Sequence, residues 1–566
     1  MIQDVTLTFF SAHISSEADA ESIKQQLAKK LSCKVSYING FVLKKKSLDA
    51  RHGKIKIHMQ YTVYTGEDNP PKEEEIVYQL CDPQKKVVIV GSGPGGLFAA
   101  LKLLEHGITP IVLERGKSTR ERKVDIAHIS RNHTVNENSN YCFGEGGAGT
   151  FSDGKLFTRS VKRGNPQRIR SIFYYFGKEF FGEDRSVITA AHPHIGTDKL
   201  PGIINAMTAK IRSCGGDVLF NCRCNDFIFE EISEGCTKKI RVKGVKAVDT
   251  ITGEEKTFTG DCVVLATGHS AGDIYELLQK YIPSALEEKT FAAGVRIEHL
   301  RSVIDGIQYH GAEKKSRLPA AEYRLTTQVE GRGVYSFCMC PGGLVVPSSS
   351  GEEGLVVNGM SPSSRGGNWS NAAIVTEILP EDFESIISDL EKKIQVWEES
   401  PVDFEKIKLR NSGVAGSRGL YLRTLLEVLA KLNGDGQRAP AQRVVDFLAG
   451  RKSETLPKTT YAPGLISSRL DLWLPQHITV RLKQALVDFE KKMKGFIMPE
   501  AVLIAPETRT STPLRICRDK ESFQCIYAEN LYPVGEGAGY AGGIVSSAMD
   551  GEAAAEAIIK KYFSKN

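Results

Sequence analysis

Lys85–Gly96, KKVVIVGSGPGG, is the stretch on which the fold turns. KKVVIV reads as a buried strand, and it runs straight into the glycines of GSGPGG. LFAALKLLEHG (97–107) then has helical spacing up to Gly107, and ITPIVLERG (108–116) is a second apolar strand. Strand, glycine turn, helix and strand make a βαβ unit, the opening of a parallel sheet with helices on its faces. In the turn, Gly91 permits the tight bend, Gly93 lets a pyrophosphate approach the backbone, and Gly96 lets the helix pack closely, with Ser92 and Gly95 in the same loop. Amide N–H groups at the helix start hold the phosphates. Glu114 ends the next strand eighteen residues after Gly96, where its carboxylate can accept from ribose hydroxyls, with Arg115 beside it.

Upstream, residues 1–80 read as a separate small α/β domain. VTLTFF alternates like a strand, SEADAESIKQQLAKKL has a cap and helical spacing, and KIKIHMQYTVYT alternates again. TGEDNPPKEEE follows as a linker. LKKKSLDARHGK carries five Lys or Arg in a short span, which reads as a solvated loop or hairpin, with a docking patch as the alternative. Downstream, residues 84–294 form the first part of a dinucleotide-binding domain, residues 295–505 an inserted α+β substrate or cap domain, and residues 506–566 the rest of the dinucleotide domain. In the insert, LVVPSS and GLVVNGM read as strands, AAIVTEI and YLRTLLEVLAKL as helices.

The 566 residues exceed one ordinary domain, and 41% hydrophobic with 25% charged residues is an ordinary globular composition. A net charge of +6 gives little reason to expect nucleic acid. The N-terminus lacks a signal-peptide pattern and no segment has a membrane-spanning run, so a cytoplasmic protein is expected. The twelve cysteines are scattered without a CxxC pair, so reduced thiols and no metal site are expected.

NAD and FAD both fit the glycine pattern, and three other segments favour FAD. DCVVLATGHSAG ends a strand in Ala266, Thr267 and Gly268, resembling the small-residue turn of FAD-dependent oxidoreductases. NLYPVGEGAGYAGGIVSSAMDGEAAAEAI resembles their C-terminal FAD segment, with Gly535 and with Glu536 in place of the more usual aspartate. There a helix starting near Gly542, Gly543 and Ile544 would face the flavin ring. FGEGGAGTFSDGKL resembles their glycine-rich flavin loop, containing Gly147, Ala148 and Thr150, with Ser152 and Lys155 offering polar contacts. GGDVLFNCRCNDFIFE resembles the strand whose backbone pairs with adenine, Cys224 falling at the contacting position and Cys222 on the same face.

GSGPGG, FGEGGAGTFSDGKL, FAAGVRIEH, YSFCMCPGG, ETRTSTPLRICRD and LYPVGEGAGYAGGI together resemble the bacterial family of NAD(FAD)-utilising dehydrogenases. That family is distantly related to the glutathione reductase superfamily and to geranylgeranyl reductase-like flavoproteins. The resemblance implies a Rossmann-like, doubly wound, mostly parallel FAD domain and an FAD-dependent oxidoreductase with non-covalent FAD. No second glycine fingerprint follows, so NAD(P)H would act as a transient donor without a domain of its own.

Flavin carries the redox chemistry, so few residues need be catalytic. Cys338 and Cys340 in FCMCPGG offer a nucleophile or acid, with an ordinary strand end as the alternative. Arg509 and Arg515 suit an anionic substrate or structural ion pairs. His192 and His194 offer acid–base chemistry, although structural roles are the simpler reading. Competing functions are a flavin-bearing sensor that binds a protein partner through residues 1–80, an RNA-modifying flavoprotein, and a non-redox flavoenzyme.

Overall fold

The computed structural model describes residues 1–10, 20–50, 55–71, 76–158, 164–234, 237–311, 318–397 and 417–564. Residues 16–19 of the first expected helix, residues 51–54 of the basic segment and residues 72–75 of the linker lie outside these. The N-terminal unit has strands β1 (Ile2–Phe10), β2 (Ile38–Asp49) and β3 (Lys56–Thr65) and helix α1 (Ala20–Leu31). Its antiparallel sheet has the order β1-β3-β2. Alternation along β1 sends Val5 and Leu7 inward, where they meet Ile23, Leu27 and Ala28 of α1. Ala191 N–H donates to Lys46 C=O at 2.8 Å, tying β2 to the body of the protein.

Next come β4 (Asp82–Val90), α2 (Pro94–Leu104), β5 (Ile108–Leu113), α3 (Thr119–Asn132), α4 (Leu200–Ser213), β6 (Asp217–Leu219), β7 (Cys222–Glu234), β8 (Thr237–Asp249), β9 (Glu255–Thr259) and β10 (Cys262–Leu265). Residues 291–507 supply β11 (Phe291–Leu300), β12 (Thr326–Val329), β13 (Arg332–Cys340), β14 (Trp369–Ile378), α5 (Arg418–Leu432), β15 (Ala439–Arg443), β16 (Leu465–Ser467), α6 (Gln476–Lys492) and β17 (Val502–Glu507). Strand β18 (Leu531–Pro533) and helix α7 (Ile544–Ile558) complete the set that positions the site.

The first sheet runs β18-β10-β4-β5-β6, every pair parallel. Val87–Val90 are buried on both faces, which explains why KKVVIV is a continuous apolar run and not an alternating one. Helices α2 and α7 cross so closely that a Cβ on Gly551 would stand 2.0 Å from the Gly95 carbonyl oxygen. The chain reverses its winding at β4, the switch point where ligands bind in such sheets. Strands β7, β8 and β9 form an antiparallel meander beside it.

The second large sheet has the order β12-β13-β14-β11-β17-β15-β16, antiparallel except for its last pair. It forms the inserted α+β unit, with α5 and α6 sharing its core. Its first strand, Phe291–Leu300, straddles the expected boundary at residue 294. AAIVTEI, expected as a helix, is part of β14. Ser370–Thr376 are all buried, so no alternation marks the strand, and the β-branched Ile374, Val375 and Thr376 favour extended backbone. No helix among the described residues is long and apolar enough to cross a membrane.

Candidate functional site

Strands β4, β10 and β18 and the N-termini of α2 and α7 open onto one cavity of about 2080 Å³. Gly91 adopts φ +104°, and a Cβ there would lie 2.4 Å from the Ala266 carbonyl oxygen. At Gly96 a Cβ would lie 1.9 Å from the Gly91 carbonyl oxygen, so the turn closes only on glycine. Gly93 differs: a Cβ there would meet nothing nearer than Gly147 Cα, at 3.9 Å. That empty space faces the first turn of α2, whose N–H groups have no partner within the helix. The cradle fits a pyrophosphate held by backbone donors.

Glu114 lines the cavity with both carboxylate oxygens bonded to protein donors. One oxygen accepts from Ser92 N–H at 3.0 Å and Ser92 Oγ at 2.8 Å, the other from Gly116 N–H and Gly144 N–H, both at 2.9 Å. A carboxylate has about four acceptor positions, and these donors fill them. These bonds knot three glycine-rich segments together at the residue where the sequence places a ribose contact. Ser92 is fully buried behind the wall for the same reason. Arg115 does line the cavity, over the Phe143 ring at 4.2 Å and bonded to Asp273 and Asn138.

Gly95, Gly147, Ala148, Ser152, Lys155, Ala266, Thr267, Gly268, Gly535, Glu536, Gly542, Gly543 and Ile544 all face the cavity. Gly96 and Thr150 lie behind it, the Thr150 hydroxyl donating to Glu145 C=O at 2.7 Å. Ser152 spends its hydroxyl inside the loop, donating to Gly149 C=O at 2.7 Å and accepting from Gly154 N–H at 3.1 Å. A Cβ on Gly542 would meet nothing within 4 Å, so the start of α7 is as open as the start of α2. Burial pushes the Glu536 carboxyl up to about 8, against the charges of Lys289 and Arg423. A protonated carboxyl at this depth suits a hydroxyl-rich cofactor chain better than an anionic one. Cys222 and Cys224 line the wall as strand residues, burial pushing their thiols up to about 11 and about 12. Such thiols are unreactive.

The far end of the cavity is walled by β2, β12 and β13. Cys338 lines it, whereas Cys340 is fully buried behind. Lys155 Nζ reaches both sulfurs at 3.8 Å and the Asp153 carboxylate at 3.2 Å. Arg365 donates to Asp153 at 2.9 Å and pairs with Glu322. Burial pushes the Asp153 carboxyl upward, but Lys155 and Arg365 outweigh it and hold the group at about 2. His192 Nδ1 lies 3.4 Å from Glu322, and His194 Nε2 lies 3.1 Å from Ser363 C=O, its pKa lowered by burial and by Arg365.

Arg509 lines the cavity with its donors committed to protein. It grips Glu427 through two bonds at 3.0 and 2.7 Å and gives 2.8 Å bonds to Ser270 and Ser350. Arg515 lies off the cavity wall in an ion pair with Glu287 at 2.5 Å, so its substrate-binding expectation gives way to the structural one. Sequence reading missed Asp153, Glu322, Arg365 and the fully buried Arg296–Glu507 pair at 2.9 Å. Their pairings with one another and with Glu507 join residues far apart along the chain, which no local pattern marks.

Residues 84–139 match the model of an FAD binding domain, and residues 290–510 match "FAD-dependent protein, C-terminal domain-like". Residues 1–64 match a domain of unknown function (DUF8436). Fold, cradle and family models together define a flavoprotein of the FAD-dependent oxidoreductase class. The chain belongs to one family with an uncharacterized protein of Clostridium beijerinckii, 35% identical to it over 97% of this chain and 98% of that protein. Among solved structures, CtdE in complex with FAD aligns at 11% identity and TM-score 0.31 over 84% of both chains. Glycerol-3-phosphate dehydrogenase of Bacillus halodurans, complexed with FAD, aligns at 14% and 0.26, over 53% of this chain and 49% of that one. Thermovibrio ammonificans THI4 aligns at 18% and 0.23, over 36% and 66%. Scores this low bear on neither fold nor function.

Proposed function

We propose that this flavoprotein passes hydride or electrons between non-covalently bound FAD and a small or medium organic molecule seated at the far end of the same cavity. The observation that carries this reading is continuity. One space of about 2080 Å³ runs from the Gly93 cradle to Lys45, Lys46 and His58 of the N-terminal sheet. An ordinary ligand pocket holds roughly 300–1,000 Å³, so a second molecule has room beside the cofactor. Bound FAD supplies the redox chemistry.

The chain's own residues bind, orient and hold charge. The first turns of α2 and α7 direct N–H groups into the cavity, where they stabilise phosphate and any negative charge developing beside α7. Glu536 holds a proton at neutral pH, and Arg365, Glu322 and Asp153 keep the far wall in a fixed charge pattern. The N-terminal sheet shapes the substrate end, which supports a role in admission of substrate beside any role in binding a protein partner. NAD(P)H, where it serves, approaches through that end. Free cysteines throughout the described residues support a cytoplasmic setting.

The test is an anaerobic absorbance spectrum of the purified protein, followed by NADH and NADPH. An oxidised flavin spectrum that bleaches with one nucleotide supports a reductase half-reaction. A protein that cannot be loaded with FAD sinks the reading.

A further inference from the structure

Cys338 and Cys340 end strand β13 where its pairing becomes irregular. The register with β14 slips between Phe337 and Cys340, and Cys338 sits at φ +45°, a region that non-glycine residues seldom enter. In a straight strand, residues two apart are separated by about 6.6–6.8 Å. That is the outer edge of the span of about 4.4–6.8 Å that a disulfide bridges. A bulge bends the strand away from that straight spacing. Both sulfurs also lie 3.8 Å from Lys155 Nζ, so one cation gathers the pair.

The two thiols are unequal. The Cys340 thiol pulls Cys338 well below the usual thiol range; burial opposes this, and the Lys155 and Arg296 charges reinforce it. Cys340 is displaced upward by Cys338 and by burial. A thiolate beside a protonated thiol is the state from which a disulfide forms. Lys155 also continues the loop in which a Cβ on Gly149 would lie 3.3 Å from Ile544, at the start of α7. Cys338 therefore faces the cavity next to the segments assigned to the flavin.

We propose that Cys338 and Cys340 are a redox-active dithiol that exchanges an electron pair with the flavin bound in this cavity. The proposal rests on the FAD reading above. Cys338 enters as the thiolate and Cys340 as the thiol. The Cys340 S–H bond breaks and an Sγ–Sγ bond forms. Two electrons and the released proton pass to the oxidised isoalloxazine, which balances the step; reversal returns them to the disulfide. Lys155 is a positioning residue that holds the thiolate, and the pair gives the protein a second two-electron store.

Holoprotein oxidised with diamide and freed of reagent is titrated anaerobically with dithionite while flavin absorbance is followed. Its cysteines are alkylated before and after reduction and mapped by mass spectrometry. Wild-type protein should take up two electron pairs per flavin, and the peptide carrying both cysteines should accept alkyl groups only after reduction. Cys338→Ser and Cys340→Ser should each take up one pair with flavin still bound. A wild-type uptake of one pair, with both cysteines alkylated before reductant is added, overturns the proposal even where a variant fails to fold. Wild-type protein that binds no FAD overturns the cofactor reading and the proposal with it, and its spectrum distinguishes this outcome from the previous one.

Discussion

At the nucleotide end of the cavity the wall is mostly backbone, whereas at the far end it is charged side chains. Gly91, Gly93, Gly95 and Gly147 leave amides and open space, and the Glu114 carboxylate is occupied in holding the loops together. The far end rests on ion pairs: Arg365 with Asp153 and Glu322, Lys155 with Asp153, and the buried Arg296 with Glu507. The difference separates two ways of making a site. A backbone cradle is set by what space a side chain would fill, while a side-chain wall is set by whether each charge keeps its partner.

The largest expected effect tests the far end. Arg296→Met leaves Glu507, Asn371 and Asn358 without the guanidinium they share. Removing one partner of a buried pair costs about 3–5 kcal/mol. Urea denaturation should show a loss of that order, with flavin still bound by the folded fraction. A loss under about 1 kcal/mol, the range of a surface pair, would break the comparison.

Two glycine variants then sharpen it at the other end. Gly96→Ala drives a methyl toward the Gly91 carbonyl, and overpacking of this kind costs about 1–3 kcal/mol in stability. Gly93→Ala meets no protein atom within 3.8 Å and should fold normally, since its one near neighbour is Gly147 Cα at 3.9 Å. Its methyl instead occupies the phosphate space, so FAD affinity should fall on the order of tenfold, about 1.4 kcal/mol. Equal melting temperatures for Gly93→Ala and wild type, with weaker binding by flavin fluorescence, would place the cradle at Gly93. Unchanged affinity would remove it from there.

The same contrast decides what the sequence discloses. Strand β4, helix α2 and strand β5 were legible because the glycines, the buried strand and the helix spacing all lie within about thirty residues, the scale of a βαβ unit. The knot at Glu114 was not legible, because its donors at Ser92, Gly116 and Gly144 come from three segments. AAIVTEI was misread because burial on both faces of β14 erases the period that distinguishes strand from helix. At the far end Cys338 stood out by residue type, but Lys155 and Cys338 are 183 residues apart and only the fold joins them. Arg509 and Arg515 look alike in sequence, yet one faces the cavity and the other an ion pair outside it.

Glu536 is the exception that tests the contrast most finely, a buried carboxyl set in the backbone-built end. Burial raises its carboxyl from the ordinary 4.5 to about 8, the nearby Lys289 and Arg423 charges notwithstanding. Below 4.5 both the folded and unfolded chains hold this proton; between 4.5 and about 8 only the folded chain does. The folded state then binds more protons than the unfolded state, so this group's stabilising contribution is complete below 4.5 and is lost as the pH rises to about 8. Glu536→Gln carries no such proton. The melting temperature of wild-type holoprotein relative to Glu536→Gln should therefore decline across that window and level off above it. Parallel curves would mean that the carboxyl ionises as freely folded as unfolded, and that this end of the cavity is wetter and more charged than its glycine wall implies.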